Sequence, residues 1–297
     1  MRPAATLEDE LYLLHCSEAV MPLGRLREVN GTRRTRRGSR AVTNKLDTPA
    51  CNGDSMTGSA QREGEPGRPA TRLWWLPLLA GALPLTGIAL AFPLAVGEGQ
   101  FPGCNPLIEG CVSISRAARH GLPNHLFRAL LLPAAVLQGL VWWLAVPWLR
   151  ALGSPSTRLL RWVPWLGLAA MVFLILYGTF LGTEGTWYRW MRRYGVIFYF
   201  GFTCILMLVV SGAVHRAAAA SGVSRAAARV LLALCLALPL LGVANSVAPL
   251  FIADPVAVDR FENATEWWGG LVFTLFFGMI AVLWRRTGYA MRTALAR

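Results

Sequence analysis

Six runs of about twenty apolar residues occupy most of the chain beyond residue 72: 73–96, 127–149, 162–181, 194–214, 230–252 and 267–284. A hydrocarbon core about 30 Å thick is crossed by about 20 such residues in a helix. A soluble helix shows a polar stripe at helical spacing for its water-facing side, and these runs are apolar all round. The pattern predicts an all-α fold, a polytopic membrane bundle of six transmembrane helices in residues 73–297.

Composition agrees. Of the 297 residues, 55% are hydrophobic and 15% charged, where soluble domains carry about a quarter charged. The formal charge of +13 resembles a nucleic-acid signal until the arginines are located. They lie in the N-terminal tail and in the gaps between apolar runs, where basic residues orient a membrane protein. No nucleic-acid partner is expected; the expected partners are membrane lipids, with homo-oligomers and protein partners left open.

Residues 1–72 hold 9 of the 16 acidic and 12 of the 29 basic residues, including Arg33-Arg34-Thr35-Arg36-Arg37. Low hydrophobicity and high charge predict a disordered basic tail. Two readings stand: translation starts at Met56 rather than Met1, so that 1–55 is not part of the protein, or the tail is a basic arm for anionic lipid.

The gaps also predict orientation. Arg62, Arg68, Arg72, Arg150, Arg158, Arg161, Arg216, Arg225, Arg229, Arg285, Arg286, Arg292 and Arg297 fall on one side, and about half as many basic residues on the other. The positive-inside rule then places both termini in the cytoplasm, in a multi-pass protein of the plasma membrane. Arg189, Arg192 and Arg193 run against this bias locally. All seven acids after Arg72 (Glu98, Glu109, Glu184, Asp254, Asp259, Glu262, Glu266) fall in the three gaps of the opposite, outer side.

No Asp, Glu, Lys, Arg or His lies well inside any span, Arg128 standing at a span edge, which argues against proton-coupled transporters and pumps. Phosphate-loop, zinc-helix and nucleophile-elbow motifs are missing as well, and no cofactor or metal is expected. The intramembrane polar side chains are Thr86, Gln138, Thr179, Ser211, Asn245, Ser246 and Thr274. Asn245 and Ser246, between Pro239 and Pro249, suit a helix–helix hydrogen bond or a lipid-headgroup contact. Proline frees the carbonyl four residues back, so Ala80 and Cys235 need new partners. Twelve tryptophans cluster near span ends, as in an interfacial belt. Ala82-Leu-Pro-Leu-Thr-Gly87 and Ala237-Leu-Pro-Leu-Leu-Gly242 hint at a repeat, a match that Ala/Leu-rich sequence also produces by chance.

Chemistry is expected on the outer side. Cys104 and Cys111 could form a disulfide, stay free, or bind metal with His120 and His125. His120 and His125, with Asp259 and Glu266, are the candidate catalytic residues of an acid/base site facing lipid headgroups; the plainer reading of 253–266 is a solvated loop. Asn263-Ala-Thr265 is formally a glycosylation acceptor, too close to the membrane to carry weight.

Ser113-Ile-Ser-Arg-Ala-Ala-Arg-His-Gly-Leu-Pro-Asn-His-Leu-Phe-Arg128 resembles the signature of the Frag/DRAM/Sfk family, which comprises damage-regulated autophagy modulators and GPI-anchor-remodelling membrane proteins. The matching positions are Ser113, Ile114, Ser115, Pro123, Phe127 and Arg128. Arg193-Tyr-Gly195 and the residues after it are similar to a family segment opening the fourth helix, although Arg192-Arg193 replaces a histidine frequent there. Glu266-Trp267 resembles the approach to the last helix. The resemblance implies six helices, cytoplasmic termini and a lipid-related role. The leading expectation is a membrane protein that binds lipid or organises the bilayer without covalent chemistry. The alternative is a lipid-modifying enzyme, a hydrolase or acyl-transfer factor, at the outer leaflet.

Overall fold

The computed structural model describes residues 70–218 and 222–292. Residues 1–69 of the N-terminal tail, Met56 included, lie outside the described residues; its last three, 70–72, expected as disordered, form a strand paired with residues 290–292. Seven helices and two short strands follow in order: β1 (Ala70–Arg72), α1 (Trp75–Gly97), α2 (Ile114–Ala117), α3 (Gly121–Ala151), α4 (Arg158–Phe180), α5 (Thr186–Ala217), α6 (Arg225–Phe251), α7 (Pro255–Arg286) and β2 (Ala290–Arg292). All but α2 are long and apolar enough to cross a membrane. The protein is a multi-pass, six-span membrane protein.

Each long helix packs on the next, and α7 returns to α1, so the six close into a ring. Small residues allow the tightest approaches. A Cβ at Gly81 of α1 would lie 2.8 Å from the Phe277 Cβ on α7. The Trp142, Phe276 and Phe277 rings fill the centre, with centroids 5.5 to 6.1 Å apart. Trp142, Trp148 and Trp284 are buried core residues, so the interfacial-belt expectation does not extend to them.

Pro84 frees the Ala80 carbonyl, and the deficit is met from α3: Gln138 Nε2 donates to Ala80 O at 3.0 Å. Gln138 Oε1 accepts from Tyr199 Oη of α5 at 2.8 Å. One buried amide thus ties three helices together where water cannot serve. The two halves of the suggested repeat serve different surroundings. Gly87 presses on Phe127 of α3, while Gly242 faces open space.

The faces of the bundle differ. At the first, which bears the described chain ends, β1 pairs antiparallel with β2, Ala70 opposite Arg292 and Arg72 opposite Ala290. Trp148 Nε1 donates to Thr287 Oγ1 at 3.1 Å and Tyr289 Oη to Leu144 O at 3.1 Å. At the opposite face, α3, α5 and α7 overrun their apolar runs. They have 31, 32 and 32 residues, about 46–48 Å at 1.5 Å per residue. α7 starts at Pro255, twelve residues before the apolar run at Trp267. The segment expected as a solvated loop is therefore helix. Its start is well made: Asp254 is the N-cap, its Oδ1 accepting from Val256 N at 3.1 Å, and Pro255 stands at the first helical position.

Candidate functional site

The loop face gathers the 98–113 segment, α2, the 118–120 turn, the α4–α5 turn and the projecting start of α7. Asn105 Oδ1 accepts from Leu107 N at 3.1 Å, and Glu109 Oε1 accepts from Asn105 N at 2.8 Å, folding the loop on itself. Cys104 and Cys111 are joined by a disulfide. Ser113 caps α2, its Oγ accepting from Arg116 N at 3.3 Å.

α7 holds this loop down at five points. Arg116 forms a bidentate pair with Asp259, at 2.6 and 3.1 Å. Asn263 donates to Gly110 O at 2.9 Å and to Asp259 Oδ2 at 3.1 Å. Glu266 Oε1 accepts from Ser115 N at 3.3 Å. The Trp267 and Trp268 indoles donate to Val112 O (2.8 Å) and Leu107 O (3.1 Å). A side chain at Gly110, whose φ is +59°, would collide with the Arg260 carbonyl, so the loop lies directly on the helix backbone. The Arg116–Asp259 pair is only half-buried, at 45% exposure for each side chain. Such pairs contribute about 1 kcal/mol or less, so the Asn263 and Trp267 bonds carry at least as much of the fastening.

A second junction joins α2, α3 and α4. Asn124, buried on the first turn of α3, donates to Ala118 O at 2.9 Å and Leu181 O at 3.1 Å. Arg192 Nη1 donates to Phe180 O and Thr183 O, at 3.4 and 3.2 Å, closing the C-terminal end of α4. Between these lies Arg119, whose buried Nε has no hydrogen-bond partner among the described residues. Burial, then the nearby Arg192 and Arg116 charges, lower its pKa, with Tyr177 and Glu266 opposing.

The candidate residues of the sequence thus have definite places. Asp259 is engaged by Arg116 and Asn263, and Glu266 by Ser115. His120 precedes α3 and His125 lies on its first turn, both exposed. Neither forms a hydrogen bond or ion pair with Asp259 or Glu266 among the described residues. No three His, Cys, Asp or Glu side chains among the described residues could hold a metal ion. Asn245 accepts from Thr265 Oγ1, joining α6 to α7, and Ser246 Oγ turns back to Gly242 O at 3.0 Å. The motif segments meet across more than 150 residues of chain: Ser115 N donates to Glu266, Trp267 donates to Val112 next to Ser113, and Ile114 packs on Gly270, outside the motif. Pro123 and Phe127 are buried, and Arg128 is half-buried beside them. Gly195 packs α5 on α4, where a Cβ would stand 2.9 Å from Tyr177 N.

Sequence reasoning did not assign roles to Asn124, Arg119, Asn263 or Tyr199. Asn263 appeared within a glycosylation triplet, yet it is 3% exposed and its side-chain N–H groups donate to Gly110 and Asp259. An Asn just over two turns inside a well-capped helix was the available signal.

A groove lies between α4 and the N-terminal half of α5. It encloses about 620 Å³ and is lined by Phe173, Leu176, Thr186, Trp187, Trp190, Met191, Tyr194 and Gly195. No family model, curated protein or solved structure matches the chain.

Proposed function

We propose that this protein binds membrane lipid at its loop face and organises the surrounding bilayer, without covalent chemistry of its own. One observation carries the reading: the two candidate carboxylates, Asp259 and Glu266, are committed to structure. General acid–base catalysis needs its groups within hydrogen-bond reach of one substrate position. Here Asp259 and Glu266 anchor the 110–116 segment, and the exposed histidines stand apart from them. What remains is a fastened polar platform above lipid-facing helices. Large apolar side chains such as Leu240, Leu250 and Phe251 are 66%, 79% and 84% exposed on α6, as suits a surface solvated by acyl chains.

The resemblance of the 113–128 and 266–267 segments to Frag/DRAM/Sfk proteins supports the same reading, because those segments pack together at this platform. The arginine bias supports a plasma-membrane protein with the loop face outside and both termini cytoplasmic. A membrane-impermeant maleimide tests that orientation. Glu184→Cys is expected to react in intact cells, and Ser156→Cys only after permeabilisation.

For function, purified protein is incubated with membrane phospholipids and the products are followed by mass spectrometry. The expected result is co-purifying lipid with no new lipid species. Turnover that His125→Ala abolishes would establish the lipid-modifying reading instead.

A further inference from the structure

We infer that Arg119 is the centre of a binding site for a phosphate group, taken between Arg119 and Arg192 at the loop-face mouth of the helix ring. Where that phosphate belongs to a phospholipid, the site rests on the lipid-binding reading above and names the atoms that grip the headgroup.

Three observations support it. The first is a cation without a partner. Arg119 Nε is buried and has no hydrogen-bond partner among the described residues, while the side chain as a whole stays partly exposed. A guanidinium does not give up its charge in a protein. Burial without a partner therefore leaves a cost that an incoming anion removes.

The second is the company it keeps. The charges that act on Arg119 most are those of Arg192 and Arg116, with Tyr177 and Glu266 opposing them. Glu266 forms no ion pair with Arg119 among the described residues and accepts from Ser115 N instead. Asp259 is taken by Arg116 and Asn263. Arg192 gives Nη1 to the Phe180 and Thr183 carbonyls, which holds it in place and leaves the rest of its fork for a ligand. Neighbouring guanidiniums repel each other, and planar forks of this kind bind phosphate oxygens bidentately.

The third is depth. Gly182 and Glu266 are the first residues beyond the apolar runs 162–181 and 267–284, and Arg192 lies just before the run 194–214. A side chain at Gly182 would collide with the Arg119 carbonyl, so the arginine rests on the end of α4. The cluster thus stands where the hydrocarbon stops and lipid phosphates begin. Its position is fixed, because Asn124 ties Ala118 O, next to Arg119, to Leu181 O. A site organised in advance loses less on binding.

The test uses the full chain in phosphate-free buffer, in two arms. In the first, protein in nanodiscs of equal phosphatidylglycerol and digalactosyl diacylglycerol, a lipid without phosphate, is released into mild detergent for native mass spectrometry. Phosphatidylglycerol is expected to be retained on the order of tenfold over the galactolipid, the size of one charge-assisted contact. Arg119→Gln is expected to remove this preference. Arg119→Lys keeps the charge without the fork and is expected to weaken it about threefold, which reads the site should glutamine not fold. Arg158→Gln at the opposite face is expected to keep it.

In the second arm, thermal unfolding in detergent is compared in sodium phosphate and in sodium chloride of equal ionic strength. A lipid preference without protection by free phosphate assigns the site to a headgroup. Protection that Arg119→Gln removes, without a lipid preference, assigns it to a soluble phosphate. In chloride, Arg119→Gln is expected to melt no lower than wild type; a fall would show Arg119 already satisfied and overturn the inference. Effects that survive both Arg119 variants, or the absence of any effect in both arms, also overturn it and leave the lipid-binding reading standing. A protein that retains no lipid at all overturns that reading, and the free-phosphate arm then decides this one alone.

Discussion

The two faces of the bundle are closed by different means. At the face bearing the chain ends, the helices finish within a few residues of their apolar runs, and closure comes from the β1–β2 pair and buried indoles. Trp148 and Trp284 stand with centroids 6.1 Å apart, and Tyr289 lies 4.9 Å from Trp284. At the loop face three helices run on past the hydrocarbon, and closure comes from polar groups reaching long distances in sequence. Asn263 bonds Gly110, Glu266 bonds Ser115, and Trp268 bonds Leu107. Apolar packing is enough to end a bundle. A shaped polar platform needs specific partners, and its residues are therefore less replaceable.

Substitutions can break this contrast, the strongest first. Gly110→Val places a side chain against the Arg260 carbonyl at a positive φ. A loss of about 3 kcal/mol or more is expected in unfolding from mixed micelles. Gly153, at φ +78° on the other face, has nothing within 4 Å, so Gly153→Val is expected to cost only the left-handed backbone, about 1–2 kcal/mol. Equal losses would show that the loop does not rest on α7 as described. Replacing Cys104 and Cys111 by serine opens a ring with sequence separation 7. A loss of about 2 kcal/mol is expected from the freed unfolded chain, seen by comparing reduced and oxidised wild type with the variant.

Gln138→Leu sharpens the comparison from the bundle centre, belonging to neither face. It strands the Tyr199 hydroxyl and the Ala80 carbonyl, and about 1 kcal/mol is expected, the scale of intramembrane hydrogen bonds. Asp259→Asn is expected to cost least, about 0.5 kcal/mol, because its pair with Arg116 is half exposed. That small difference should shrink further in high salt.

The membrane-spanning part was legible because greasy runs of bilayer length have few other uses. The need at Ala80 was legible too, since Pro84 removes its donor, and the sequence already offered Gln138 among few polar choices. The platform was harder to read. Hydropathy ends α7 at Trp267, yet Asp254-Pro255 is a helix start with cap and first residue in order, followed by a helix too polar to register as a span. Its acids looked like a free acid/base set for the same reason. That Arg116 would occupy Asp259 depends on a contact 143 residues away in sequence, which local pattern does not encode, and the Asn263 contact four residues on follows only once the segment is known to be helix. The tryptophans divide similarly: Trp143, Trp162 and Trp165 face outward, while Trp142 turns inward. Only the orientation of each residue on its helix separates them.

Hydrogen exchange in lipid nanodiscs gives the most direct test of the latched platform. Backbone amides of residues 256–266 and 110–117 are expected to exchange slowly and together, and the 110–117 amides to speed up in Asn263→Ala. Rapid exchange of 256–266 in the wild type, at the rate of a solvated loop, would contradict it.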